Sequence, residues 1–104
     1  MKWPFKDPDE ILDYSVDWSR FLPQGSSIDS VQWYIYDADG TKTAAAPVQT
    51  VNGLTLGAQS NTATVATVRF SDGDSGNTYR IGCAVTYNTV LVAERTIQLP
   101  VRER

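Results

Sequence analysis

Apolar and polar residues alternate along most of this chain, and the alternation marks out its elements. From Ile11 to Trp18 it is strict: Leu12, Tyr14, Val16 and Trp18 fall on one side of an extended chain, and Asp13, Ser15, Asp17 and Ser19 on the other. A strand points successive side chains to opposite faces, so one face here is buried and the other wetted. A second strand is predicted over Ile28 to Tyr36, with Val31, Trp33 and Ile35 on one face and Gln32, Tyr34 and Tyr36 on the other. Its β-branched and aromatic content favours the pleated state. Asp37-Ala38-Asp39-Gly40 ends it as a turn. Thr41 to Gln49 reads as a loop leading into a short strand, because Ala44-Ala45-Ala46 favours helix locally but Pro47 follows at once. Val51, Leu54 and Leu56 around Asn52-Gly53 predict a tight hairpin or two short edge strands broken by a turn.

Three further strands complete the chain. Thr62 to Phe70 is small and β-branched, and the turn cluster Ser71 to Asn77 ends it. Thr78 to Tyr87 sets Tyr79, Ile81, Cys83 and Val85 on one face. Val90 to Val101 sets Leu91, Ala93, Ile97, Leu99 and Val101 together, with Arg95 interrupting that face as a bulge or a snorkelling side chain. No stretch has helical periodicity. Short strands separated by turn clusters predict an all-β, antiparallel β-sandwich of about seven strands. Asp74 to Ile81 resembles the turn-and-tyrosine segment that opens strand F of immunoglobulin-like domains. Trp33 then resembles their strand C tryptophan, and Ile81 stands where an antibody domain has its second disulfide cysteine. The expected architecture is an immunoglobulin-like sandwich over residues 11–104, preceded by a short N-terminal arm over 1–10.

Composition narrows the function classes. A chain of 104 residues is one domain, large enough for a single core without staples. The formal net charge of −3 argues against a nucleic-acid or anionic-membrane surface. Cys83 is the single cysteine, which excludes an internal disulfide and suits a reducing compartment. The start, Met1 to Lys6, has no apolar core of a signal peptide, and no run is long enough to cross a bilayer as a helix.

Chemistry is scarce. There is no histidine to pair with Cys83 or with a serine, so neither nucleophilic catalysis nor a zinc site is expected. Asp37 and Asp39 pair across one residue, as do Asp72 and Asp74, but no run matches a complete calcium loop, and turns use such residues anyway. No glycine-rich phosphate loop precedes a helix. The expectation is a protein without enzymatic activity, metal or cofactor. Trp3 and Phe5 lie outside any periodic element, either as a lid folded on the core edge or as anchors for a partner chain.

The stretch Lys6-Asp7-Pro8-Asp9-Glu10-Ile11-Leu12-Asp13-Tyr14-Ser15-Val16-Asp17-Trp18 resembles the opening of the phage fiber–tail adaptor proteins, small virion proteins of tailed bacteriophages. Ser30-Val31-Gln32-Trp33, Gly53-Leu54-Thr55-Leu56, Ala63 to Val68, Asn77 to Ile81 and Glu94 to Val101 continue the resemblance. The chain departs from it in the turn Asp72 to Gly76, which is less glycine-rich, and in a longer Thr41 to Gln49 segment. The resemblance implies a structural adaptor in the virion tail, made in the host bacterial cytoplasm, that links tail tube or nozzle to fibers or spikes. Its partners would be those tail proteins and copies of itself in a ring, with no nucleic acid and no membrane. The residues expected to contact partners are Trp3, Phe5, Pro8 and Asp9 on the arm, and Thr41, Lys42 and Pro47 on the loop. Capsid decoration, head–tail joining and a carbohydrate- or calcium-binding sandwich are the alternatives.

Overall fold

A computed structural model describes residues 2–37, 40–45 and 49–103. Among them are eight strands and no helix: β1 (Leu12–Asp17), β2 (Ile28–Tyr36), β3 (Lys42–Ala45), β4 (Gln49–Val51), β5 (Leu54–Asn61), β6 (Val65–Asp72), β7 (Thr78–Tyr87) and β8 (Leu91–Pro100). They form two antiparallel sheets, in the orders β1-β6-β5-β4 and β3-β2-β7-β8. The sheets pack face to face in a sandwich-like arrangement. Tyr14, Val16, Leu54, Leu56, Val68 and Phe70 of the first meet Trp33, Ile35, Ile81, Cys83, Val85, Ile97 and Leu99 of the second in one buried cluster. Every one of these positions follows the alternation of its strand, which is how period-two patterning builds a two-layer core.

The middle of the chain differs from the reading of its sequence. Lys42–Ala45 is not loop but β3, paired to β2 with Trp33 opposite Ala45 and Tyr36 opposite Lys42. Alanine's helix preference amounts to a few tenths of a kcal/mol per residue, and a ladder of backbone hydrogen bonds overrides it. The tight hairpin forms: Asn52 (φ 53°) and Gly53 (φ 86°) take the left-handed turn that joins β4 to β5. β5 then continues through Asn61, and the next strand starts at Val65 rather than Thr62. A register shift between Leu56 and Gln59 breaks the pattern of β5, so its second half carries no alternation to read.

The arm is woven into the sandwich. Lys2 bridges Gln98, and Lys6 bridges Val101, both parallel to β8. Trp3 is only 7% exposed. Its ring lies 4.9 Å from Tyr14 and 5.8 Å from Phe70, and its indole N–H donates to the Ser15 carbonyl at 3.2 Å. The arm thus fills the gap between the open edges of β1 and β8.

Two positions on the outer strands complete the comparison. β7 and β8 pair without a register shift, so Arg95 marks no bulge; its guanidinium reaches out over the rings of Trp18 (5.0 Å) and Phe21 (5.9 Å). Leu91, expected inward, is 46% exposed, because β8 outruns the core at that end.

Cys83 lies fully buried in β7. Burial disfavours the thiolate and pushes its pKa from 9.0 up to about 11. The folded chain therefore holds this proton where the unfolded chain has released it. That contribution is fully present below pH 9 and is lost between pH 9 and 11, an expected decline of about 2–3 kcal/mol in unfolding free energy. A thiol reagent at pH 8 is expected to leave Cys83 unlabelled in the native protein and to label it fully in denaturant. Rapid native labelling would contradict this burial.

Candidate partner-binding surfaces

The sequence Lys6-Asp7-Pro8-Asp9-Glu10 folds as a self-capped turn. Pro8 has the φ that the second position of such a turn needs, and the Glu10 N–H donates to the Asp7 carbonyl at 3.0 Å. The Asp7 carboxylate accepts the Asp9 N–H at 2.8 Å, and the Glu10 carboxylate accepts the Asp7 N–H at 2.9 Å. Each acid answers a backbone donor of the turn.

Lys6 sits beneath this turn and is fully buried. Its ammonium donates to the carbonyls of Asp7 (2.9 Å) and Asp72 (2.7 Å). The Lys6 backbone N–H bonds the Pro100 carbonyl, and its own carbonyl accepts from Arg102 N–H, both at 2.9 Å. One residue therefore ties the arm to β8 in one sheet and to the end of β6 in the other. Burial lowers its pKa, opposed by the charges of Asp72, Glu10, Asp7 and Asp9. The charged lead of the chain looked like surface in the sequence; nothing in residue type marks one of its lysines as buried.

The structure distributes the expected contact residues unevenly. Trp3 belongs to the core and offers no surface of note. Phe5 is half-buried beneath the Arg102 guanidinium, which lies 5.4 Å from its ring. Pro8 is half-buried in the turn, and Asp9 is exposed. Phe5, Pro8 and Asp9 are thus brought together around one corner.

Thr41 is exposed and its carbonyl accepts the Asp37 N–H at 2.7 Å. Lys42 is engaged within its own sheet: its ammonium lies 2.8 Å from Glu94 and 4.2 Å from the centre of the Tyr34 ring. Glu94 also accepts from the Tyr36 hydroxyl, a bond that pushes the Tyr36 pKa up. Gly82 lies under this group, where a Cβ would stand 3.0 Å from both Glu94 and Tyr36, so glycine permits the cluster to close over the sheet. Pro47 lies outside the described residues.

Register places these groups relative to one another. Thr78 pairs with Pro100 beside the arm, while Arg80 pairs with Tyr36, which pairs with Lys42. The arm turn and the β2–β3 turn therefore share one end of the sandwich, at opposite edges of one sheet. Between them lies an open cleft of about 450 Å³ lined by Tyr36, Asp37, Asn52, Asn77, Thr78 and Tyr79. The Tyr79 hydroxyl donates to the Asn52 carbonyl at 2.8 Å and accepts the Asp74 N–H at 3.0 Å, fixing the floor of that end. Asp72 and Asp74 serve this turn region: Asp72 accepts from Thr55 at 2.8 Å and its carbonyl takes the Lys6 ammonium. Among the described residues no group of three acids or cysteines converges as metal ligands do.

The other end of the sandwich exposes a cluster of apolar side chains. Phe21, Val90, Leu91 and Val92 are exposed around the loop 88–90 that joins β7 to β8. This group was missed in the sequence because Leu91 shares the apolar face of Ile97 and Leu99 and so reads as core, while Val92 stands alone on the polar face of Glu94, Thr96 and Gln98.

A family model of the podophage GP4 fiber-tail adaptor protein gp77 matches residues 6–100. The match begins at Lys6 and spans all eight strands. No curated protein matches the chain.

Proposed function

The chain belongs to the podophage GP4 fiber-tail adaptor family, and we propose that it acts as a non-enzymatic structural link of immunoglobulin-like architecture, joining the tail tube or nozzle to fibers or spikes. Membership over residues 6–100 carries this reading, because the family is one of structural tail adaptors. The Tyr79 tie at the start of β7, Trp33 in the core of β2, and an arm running parallel to the last strand support the architecture.

An adaptor must meet two neighbours. The long dimension of this molecule is 41 Å; the arm turn with exposed Ile11 lies at one end, and Phe21, Val90, Leu91 and Val92 are exposed at the other. On this reading Phe5, Pro8 and Asp9 contact a neighbouring tail protein at the first end, with Thr41 and Lys42 at its far edge, and Trp3 holds the arm in place from below. Copies of the chain form a ring in the tail, since head-to-tail contacts close when the rotation permits. The protein is made in the host bacterial cytoplasm, where its buried thiol meets no oxidant.

A phage carrying an early stop codon in this gene tests the reading by electron microscopy of its particles. Heads and tails without fibers or spikes are expected, with fibers restored when the wild-type chain is supplied in trans. Fully fibered particles lacking the protein would overturn it, as would hundreds of copies spread over the capsid.

A further inference from the structure

The edge of β8 is covered along only part of its length. The arm takes its far end: the Trp3 N–H donates to the Gln98 carbonyl and the Lys6 N–H to the Pro100 carbonyl, each at 2.9 Å. These bonds show which residues of β8 turn their main-chain groups away from β7. They are Gln98 and Pro100, and by the two-residue repeat of a strand also Thr96, Glu94 and Val92. Among the described residues nothing bonds the main chain of these three on that side. The slot is bounded by Lys2, opposite Gln98, and by the loop 88–90.

Apolar side chains flank this slot. Val90, Leu91 and Val92 are 78%, 46% and 67% exposed in direct succession. Phe21, 45% exposed, stands edge-on 6.2 Å from Tyr87, which pairs with Leu91. A run of three exposed apolar residues is avoided in chains shaped by folding alone. The loop itself is held under strain: Thr89, a β-branched residue, takes φ 64°, and the Asp29 carboxylate accepts its N–H at 2.8 Å.

We propose that the open edge of β8, from Val92 to Thr96, takes up an extended strand of a neighbouring tail protein, one with apolar side chains that cover Val90, Leu91 and Phe21. This deepens the adaptor reading and rests on it. Two observations select an extended polypeptide over a second folded copy. Four apolar side chains fall far short of the roughly 20–30 residues that each side of a standard interface uses, so the patch cannot hold two globular surfaces together unaided. Strand addition supplies the rest through main-chain hydrogen bonds, and this same edge already accepts an extended segment where the arm lies on it. Unpaired edges are a hazard that proteins normally blunt with charge; the two charges here, Glu94 and Arg95, are drawn onto Lys42 and Tyr36 and onto the rings of Trp18 and Phe21, and Val92 stands exposed beside them.

Val92→Pro tests the proposal, because the Val92 N–H points away from β7. Proline there removes an outward donor and leaves the β7–β8 ladder intact. The purified full chain, its Val92→Pro variant and a Val92→Thr control would be titrated against the purified fiber protein and against tails lacking this protein. The variant is expected to melt with the wild type, to bind one of the two probes at least tenfold more weakly, and to bind the other normally. Val92→Thr, which keeps the N–H, is expected to bind both within a few-fold of wild type. Thr96→Pro repeats the test from the far end of the slot should Val92→Pro not fold. Wild-type binding of both probes by the proline variants would overturn the strand-addition proposal while leaving the adaptor reading intact. A wild-type dimer abolished by Val92→Pro would overturn it in favour of self-pairing. A wild-type chain that binds neither probe would remove the adaptor reading and the proposal together.

Discussion

Lys6→Met lowers the unfolding free energy by about 3 kcal/mol, because two charge-assisted hydrogen bonds disappear at once. Methionine fills much of the same volume, so the loss reports the ammonium and not a cavity. The carbonyls of Asp7 and Asp72 lose their donor in a buried place. Each such bond contributes about 1.5–3 kcal/mol, and relief from desolvating the ammonium offsets part of the sum. Urea unfolding followed by the fluorescence of the three buried tryptophans, Trp3 of the arm among them, measures the difference. A change below about 0.5 kcal/mol, the size typical of an exposed surface residue, would place the ammonium in water and contradict the structure. The pH dependence carries a second sign. Burial lowers the Lys6 pKa below its ordinary 10.5, so above the folded value the unfolded chain binds more protons than the native one. The Lys6 contribution therefore rises with pH up to 10.5, and the gap between wild type and Lys6→Met widens as the pH climbs. The Cys83 decline runs the other way but is common to both chains, so it cancels in the difference.

The elements legible in the sequence were those where one force acts alone. Tyr14, Val16 and Trp18 alternate with Asp13, Ser15 and Asp17, and all three sit in the core as the pattern requires. The Asn52-Gly53 turn announced itself by residue type, since these two residues accept left-handed φ most readily. Legibility failed where two effects compete. In β5, Leu54 and Leu56 are buried, but the register shift beyond Leu56 leaves Gly57 to Asn61 in a strand with no hydrophobic period. In β3, alanines that favour helix in isolation are held extended by pairing to β2. Lys6 failed for a third reason, whereas Arg95 took one of the two forms expected of it, a side chain reaching out over aromatic rings. Charge predicts exposure, yet this lysine finds two backbone carbonyls. One of them belongs to Asp72, 66 residues away in sequence, and no local pattern reveals it. The apolar end of the molecule was hidden by the same strand pattern that revealed the core: Leu91 shares the face of Ile97 and Leu99 but lies beyond the layer that would cover it.

Deletion of residues 1–10 is expected to cost roughly 6–8 kcal/mol, enough to leave a domain of this size unfolded or marginal. The arm reads in sequence as a detachable lead, and its removal looks like a clean test of partner contact. The packing says otherwise. Trp3 lies 4.9, 5.8 and 6.3 Å from the rings of Tyr14, Phe70 and Trp33, and removing a buried tryptophan costs about 3–5 kcal/mol. The Lys6 bonds add about 3 more. The Tyr14 hydroxyl loses the Pro4 carbonyl, 3.2 Å away, and the open edges of β1 and β8 meet water. Circular dichroism and thermal melting of the truncated chain measure this, and a melting point within a few degrees of the full chain would refute it. Adding back a peptide of residues 1–10 at millimolar concentration is expected to restore part of the lost stability, since the segment binds the folded state alone. A failure of the truncated chain to join tails would therefore report folding and not recognition. Exchange of surface at the corner separates the two: Phe5→Ser with Asp9→Asn leaves Trp3 and Lys6 in place and is expected to keep the fold at a small cost from the lost Phe5–Arg102 contact, while removing the exposed part of the corner that a neighbour could touch.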